Sequence, residues 1–474
     1  MILKRLFLAF FILLFLLPQI NFAQNGNITG DWFGTLDVQG VMELRIVFHI
    51  AEKDGQLTST LDSPDQNANG LPVAETRFEA PELTLSMPML QAEYKGTVND
   101  DFTELTGTFT QRGIAMPLTM GRTAVEKAEV NRPQEPKPPV PYYVEEVTFE
   151  NVAAGITLAG TLTLPEKEGH FPVAVLVSGS GPQDRNEELL GHKPFLVLAD
   201  YLTRQGIGVL RFDDRGVGKS TGNFGPATSE DFATDALAAV EYLKTRPEAN
   251  PGQIGIIGHS EGGMIAPMVA AQSDDVAFIV LLAGPGVIGK DLLLRQIKLI
   301  SLANGEDEDK VEKGDTYNQE IFDIICLISD TTELRTILTE VMKRQISEQP
   351  EEDKKGIGDP DEYIKSQLAQ IMTPWFRFFL CYDPVPALEK VSCPVLALNG
   401  GKDLQVDPKQ NLGGIEAALK KAGNPNFKVK KLEGLNHLFQ TCETGAPSEY
   451  SKIEETFSPV ALKEVADWIL SALK

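Results

Sequence analysis

Eight strand-like runs in the last two thirds of the chain limit its fold most. Residues 143–149 and Ile156–Leu164 come first, close together. Then follow 173–177, Gly208–Phe212, 254–257, 276–282, 395–398 and 428–432, most of them separated by helical stretches such as 229–245. Short apolar runs bounded by Gly are what a parallel sheet buried on both faces requires. Eight in this order predict a doubly wound, mostly parallel α/β sheet with a hairpin-like start.

The rhythm breaks once. Between 287 and 388 no strand-like run occurs, only helical, charge-rich sequence. So long a structureless loop is implausible inside a compact domain, so the segment predicts a helical insertion over one face of the sheet. Its apolar end, Trp375-Phe376-Arg377-Phe378-Phe379-Leu380, either lines a pocket or anchors the insertion. Upstream, residues 26–122 alternate with a period of two. Leu44, Ile46, Phe48 and Ile50, and later Leu83, Leu85 and Met87, mark one face, with turn-like clusters between the runs, so we expect a small antiparallel all-β domain. Between the two lies a stretch, 123–141, with Pro133, Pro136, Pro138, Pro139 and Pro141 close together. Such a run is stiff and extended and predicts a linker. Residues 142–474 would form the second domain.

The first 23 residues read as a secretory leader: Lys4 and Arg5, an unbroken apolar run from Leu6 to Leu17, Pro18, then small or polar residues near Ala23. The apolar run is too short for a span, which needs about 20 residues. We therefore expect an exported chain, periplasmic or extracellular, with no membrane anchor after cleavage. A formal net charge of −24 argues against nucleic-acid partners. The cysteines Cys326, Cys381, Cys393 and Cys442 are even in number, which permits disulfides in an exported chain. They serve equally well as buried thiols, and they show no metal-like spacing. Oligomeric state is not legible.

The chemistry concentrates at Gly258-His259-Ser260-Glu261-Gly262-Gly263. This G-x-S-x-G follows a buried strand and precedes a small-residue helix, the setting of a nucleophile elbow. Gly258 and Gly262 let strand and helix approach, and Ser260 would stand proud of the sheet. The N–H of Glu261 would face a developing oxyanion. A serine hydroxyl needs a base. In this arrangement the chain order is Ser, acid, His. Of five histidines only His437 follows Ser260, in the loop Gly434-Leu435-Asn436-His437 after the last strand. For the acid, Asp403 lies in the loop at the C-terminal edge of the run 395–398, where active-site groups of open sheets gather. Asp407 and Asp383 are its rivals. The second oxyanion donor should come from the loop 178–185, with Ser180 favoured over Gln183. Asp184 and Arg185 could pair there to hold the loop, or Arg185 could bind substrate. The Gly218-Lys219-Ser220 sequence mimics a phosphate loop, but Asp213 stands where the first Gly is needed, so a tight turn is the better reading.

At these motifs, 178–186, 212–222, 258–263, 399–406 and 434–440, the chain from about 142 onward resembles the α/β-hydrolase superfamily. It is most similar to the serine aminopeptidase-like and dienelactone-hydrolase-like group, and within it to EstD-like bacterial carboxylesterases. It departs in carrying Ser178-Gly179 where many relatives carry His-Gly. The resemblance implies an N-terminal β domain and a carboxylesterase that cleaves small short-acyl esters through an acyl-enzyme, with no metal or organic cofactor. Two alternatives remain open: a serine peptidase of aminopeptidase or prolyl type, and a non-catalytic binding protein on a hydrolase scaffold.

Overall fold

Period-two patterning at the start of the chain becomes nine strands: β1 (Gly30–Val38), β2 (Met42–Lys53), β3 (Gln56–Ser63), β4 (Ala68–Pro72), β5 (Glu75–Glu79), β6 (Glu82–Met87), β7 (Ala92–Val98), β8 (Glu104–Gln111) and β9 (Ile114–Gly121). They form one sheet in the order β4-β3-β2-β1-β9-β8-β7-β6-β5. The sheet curls until Ser59 of β3 and Thr76 of β5 share a hydrogen bond of 2.5 Å. Trp32, Phe48, Leu83, Leu85, Met87, Tyr94, Leu105 and Leu118 are buried. Arg122 lies 3.6 Å over the Trp32 ring, a cation–π contact.

This computed structural model describes residues 27–38, 42–66, 68–111, 114–126, 131–354, 357 and 359–474. They divide into two compact units. One holds most of the sheet above, with residues up to Leu36, Leu44–Phe109 and Pro117–Val125; the other holds Asp37–Glu43, Thr110–Met116 and Glu126–Lys474. The leader expected at 1–23 lies outside the described residues. From 131 to 142 the proline-rich stretch has neither helix nor strand. It is held by side chains: Arg132 donates to the carbonyls of Gly191, Ser451 and Ile453, and Gln134 meets Thr456 and Phe457.

The second unit is built on an eight-stranded sheet: β10 (Tyr143–Asn151), β11 (Ile156–Leu164), β12 (Phe171–Val177), β13 (Gly208–Phe212), β14 (Ala249–His259), β15 (Phe278–Leu282), β16 (Val395–Gly400) and β17 (Phe427–Leu432). Its order is β10-β11-β13-β12-β14-β15-β16-β17. β10–β11 and β11–β13 pair antiparallel, as the hairpin start requires, and the pairs from β13 to β17 are all parallel. Helices cover both faces. On one face α1 (Pro194–Arg204) and α12 (Pro459–Ala472) pack on Leu176, Ile257 and Val280. On the other, α2 (Ser229–Lys244), α3 (Gly262–Ala270) and α11 (Pro408–Ala422) pack on Val175, Ile256 and Leu281. Local signals start these helices. Thr228 and Asp231 form a capping box on α2, and Asp407 with Pro408 opens α11.

Between β15 and β16 the expected insertion is helical: α4 (Gly289–Ala303), α5 (Glu308–Leu327), α6 (Thr331–Ser347), α7 (Glu351–Lys354), α8 (Pro360–Ile371), α9 (Pro374–Cys381) and α10 (Val385–Leu388). Asp307, Asp330 and Asp359 cap α5, α6 and α8 by accepting first-turn N–H groups. The insertion has its own core around Phe322, Leu334, Leu338, Ile364 and Leu380. A disulfide joins Cys326 on α5 to Cys381 on α9, while Cys393 and Cys442 are free thiols.

Candidate active site

Ser260 sits between β14 and α3 with φ +53°, a left-handed conformation that is costly for a residue with a Cβ and common at functional sites. Its N–H donates to the Leu282 carbonyl at 2.8 Å, which ties the turn to the neighbouring strand. A Cβ on Gly258 would stand 1.9 Å from the Gly262 carbonyl oxygen, and one on Gly262 2.1 Å from that of Val177. Only glycine lets β14, α3 and the end of β12 approach this closely. Ser260 opens onto a cavity of about 210 Å³ that His437 also lines.

The imidazole of His437 is buried in the loop after β17. Its Nδ1 lies 2.8 Å from Asp403 Oδ2, and both side chains are nearly sealed from solvent. Asp403 Oδ1 accepts the N–H groups of Gln405 at 2.8 Å and Val406 at 2.9 Å. The carboxylate is thus oriented by its own loop, and Nε2 of His437 is left for another partner. The rival acids are engaged elsewhere. Asp407 caps α11 and takes Arg295 Nε from α4 at 2.6 Å, and Asp383 accepts the N–H of Val385. Tyr450, buried beside Asp403, receives hydrogen bonds from the Gln405 side chain and the His437 N–H.

The loop after β12 is held from below. Asp214 accepts the Ser178 hydroxyl and the N–H of Gln183. Burial pushes its carboxyl up to about 8, against these two bonds and with the help of the charges on Glu261 and Glu187. The Gln183 N–H is therefore spent. So is that of Gly179, which donates to Glu187 Oε1 at 2.7 Å. Ser180 stands on the cavity wall beside Ser260, and its side chain bonds to the Glu261 carboxylate. Arg185 does not pair with Asp184. It makes a two-pronged bond to Asp213, at 2.9 and 2.8 Å, and reaches Glu146. Asp184 instead accepts the N–H groups of Asn186 and Glu188. The Lys219 N–H also points to Asp213, so 212–220 is a turn wrapped around a carboxylate.

Two features of the site were not read from the sequence. The Glu261 side chain is buried, and it accepts the Ser229 hydroxyl at 2.5 Å and Trp375 Nε1 at 2.9 and 3.0 Å. Burial raises its carboxyl above the usual range, against hydrogen bonds from Ser229, Trp375 and Ser180. Trp375 lies on α9, so the insertion touches the turn that carries Ser260. The aromatic run divides by helix face. Trp375 and Phe379 stack on each other and line the cavity, while Phe376 packs on Phe322 in the insertion core. The second feature is His259, buried beside Ser260 and facing Glu187 and the His437 carbonyl. No periodicity joins residues 114 or 72 positions apart; the histidine preceding Ser260 in the motif was the one available signal.

Leu292 and Leu293 of α4 complete the apolar wall, and Gln296 adds an amide beside them. Among the described residues, no group of three or more His, Cys, Asp or Glu is placed to hold a metal ion, and no helix is long and apolar enough to cross a membrane.

A family model described as serine aminopeptidase, S33 matches residues 193–442. Esterase EstD of Thermotoga maritima is 28% identical over 334 residues, 70% of each chain. An uncharacterized protein of Mycobacterium tuberculosis is 32% identical over 126 residues, 27% of this chain and 41% of its own length. Among solved structures, an esterase of Pyrococcus furiosus superposes with a TM-score of 0.42 at 16% identity, over 73% of this chain and 97% of its own.

Proposed function

The chain belongs to the serine aminopeptidase S33 family of α/β hydrolases, and from that premise we propose that it is a carboxylesterase acting on short-acyl esters through an acyl-enzyme. Ser260 attacks the ester carbonyl while His437 Nε2 takes its proton. Asp403 fixes the ring tautomer and stabilises the imidazolium. The N–H groups of Glu261 and Ser180 receive the oxyanion. His437 then gives its proton to the leaving alcohol, and water activated by the same ring releases the acid. The observation that carries the reading is the sealed His437–Asp403 pair at 2.8 Å on the wall of the cavity onto which Ser260 opens.

The family description favours a second reading, an aminopeptidase. That activity needs a free carboxylate for a substrate ammonium. Among the cavity-lining residues Glu187 is the carboxylate, and it is committed to Gly179 and His259; Trp375, Phe379, Leu292 and Leu293 suit an uncharged acyl group better. The resemblance to an esterase over 70% of the chain points the same way. We also propose that the protein is exported, a reading supported by the Cys326–Cys381 disulfide, a bond typical of oxidising compartments.

Ser260→Ala should abolish hydrolysis of nitrophenyl acetate and butyrate and labelling by a fluorophosphonate probe. Retained labelling refutes Ser260 as nucleophile. Faster turnover of an aminoacyl nitroanilide than of the esters refutes the esterase reading.

A further inference from the structure

His259 has both ring nitrogens committed to oxygen atoms. Nδ1 lies 2.9 Å from Glu187 Oε1, and Nε2 lies 3.1 Å from the backbone carbonyl oxygen of His437. A carbonyl oxygen accepts and cannot donate. Glu187 Oε1 already accepts the Gly179 N–H at 2.7 Å. Both contacts therefore call for N–H donors, and a neutral imidazole has one. The geometry fits an imidazolium, buried beside the nucleophile with its ring centre 4.8 Å from that of His437.

We propose that His259 and Glu187 form a proton-dependent tie that positions two halves of the site at once: the oxyanion loop, through Gly179, and the base, through the His437 carbonyl. The inference rests on the assignment of Ser260 and His437 proposed above. His259 acts through these neighbours and is a positioning residue. When it loses its proton, one contact must go. Either the His437 loop loses its donor, or Glu187 loses its partner and the Gly179 amide its anchor.

The charged and titratable groups around the ring come from three loops. Glu187 faces it from the loop after β12, and Glu187 and Glu261 both act on Asp214. His437 faces it from the loop after β17, and Asp403 acts from the loop after β16. Burial opposes the charge on His259. The Glu187 charge and hydrogen bond, the His437 carbonyl and the Asp403 charge together outweigh it and hold the ring above its usual range. The tie is complete below the His259 pKa and fails as pH rises through it. His437 needs the opposite, since it must be unprotonated to act as base. The alkaline limb of the kcat/KM pH profile therefore follows His259.

The test is Glu187→Gln in the full chain. The amide oxygen still accepts the Gly179 N–H, but the charge that holds the imidazolium is gone. The alkaline limb of nitrophenyl butyrate hydrolysis should move down by about 1–3 pH units, with the acid limb in place. In the wild type at pH 7, 15N spectra of labelled histidine should show the His259 ring protonated on both nitrogens, beside that of His49, which lies between Asp31 and Asp62; the His259 signal should be lost in His259→Phe and turn neutral in Glu187→Gln. An alkaline limb at the same pH in both proteins, or a neutral His259 in the wild type, overturns the proposal. If Glu187→Gln fails to fold, the wild-type spectrum decides, with the ring assigned through its backbone neighbours. Normal fluorophosphonate labelling of Ser260 with an unmoved limb defeats this inference alone; absent labelling defeats the proposed function instead.

Discussion

Asp403→Asn tests the acid, and the structure fixes how the new amide must sit. Asp403 Oδ1 accepts two backbone N–H groups, those of Gln405 and Val406, while Oδ2 meets His437 Nδ1. Asparagine has one oxygen to place. Facing the backbone, it keeps two hydrogen bonds and turns its NH2 toward His437. Facing His437, it sets an NH2 against two buried N–H groups and leaves both unsatisfied, at roughly 1–3 kcal/mol each. The first orientation wins. A donor then confronts Nδ1, the imidazole proton moves to Nε2, and the ring has no lone pair for the Ser260 proton. Stabilisation of the imidazolium is lost as well. Together these should lower kcat by about 10⁴-fold, or ~5.5 kcal/mol of barrier, with little change in KM. Burst and steady-state hydrolysis of nitrophenyl butyrate, with thermal melts to show that the fold persists, measure the effect. A folded Asp403→Asn protein that retains a tenth or so of the wild-type kcat refutes the reasoning, since a misplaced proton cannot cost so little.

Two further perturbations probe the insertion. Trp375→Phe keeps a ring to stack on Phe379 but removes the donor to both Glu261 oxygens. Stability to urea should fall by about 1.5–3 kcal/mol and KM for butyryl esters should rise, while unchanged values detach α9 from the turn that carries Ser260. Replacing Cys326 and Cys381 together by Ser opens a tie across 55 positions, worth about 4 kcal/mol in the chain-entropy model. Limited proteolysis should then cut first between 289 and 388, and an unchanged digestion pattern counts against the disulfide as the brace of the insertion.

What was legible in the sequence follows from the range of the forces involved. Strands of the large sheet are local, because a run such as Phe278–Leu282 buried on both faces must be apolar throughout. The insertion was legible as a break in that rhythm. Ser260, Asp403 and His437 could be picked by chain order and by the strand ends they follow, because the sheet carries those ends to one rim. Partners chosen by three-dimensional approach could not be picked. Arg185 turned to Asp213, 28 positions on, and not to its neighbour Asp184. Four cysteines of equal standing resolved into one pair and two free thiols. The Glu261 carboxylate has no role visible in its motif, because the groups that hold it, Ser229, Trp375 and Ser180, arrive from distant parts of the chain.

Polar ties of the insertion to the rim include Trp375, which reaches Glu261, Arg295, which reaches Asp407, and the Asp291 carbonyl, which accepts from Gln410. The part of the cavity wall that the insertion supplies, Leu292, Leu293, Trp375 and Phe379, could be exchanged in a chimera as one segment between β15 and β16. A graft would need an indole and a cation at the places of Trp375 and Arg295 to renew those two ties. A graft lacking the indole would strip Glu261, the neighbour of Ser260, of one of its donors.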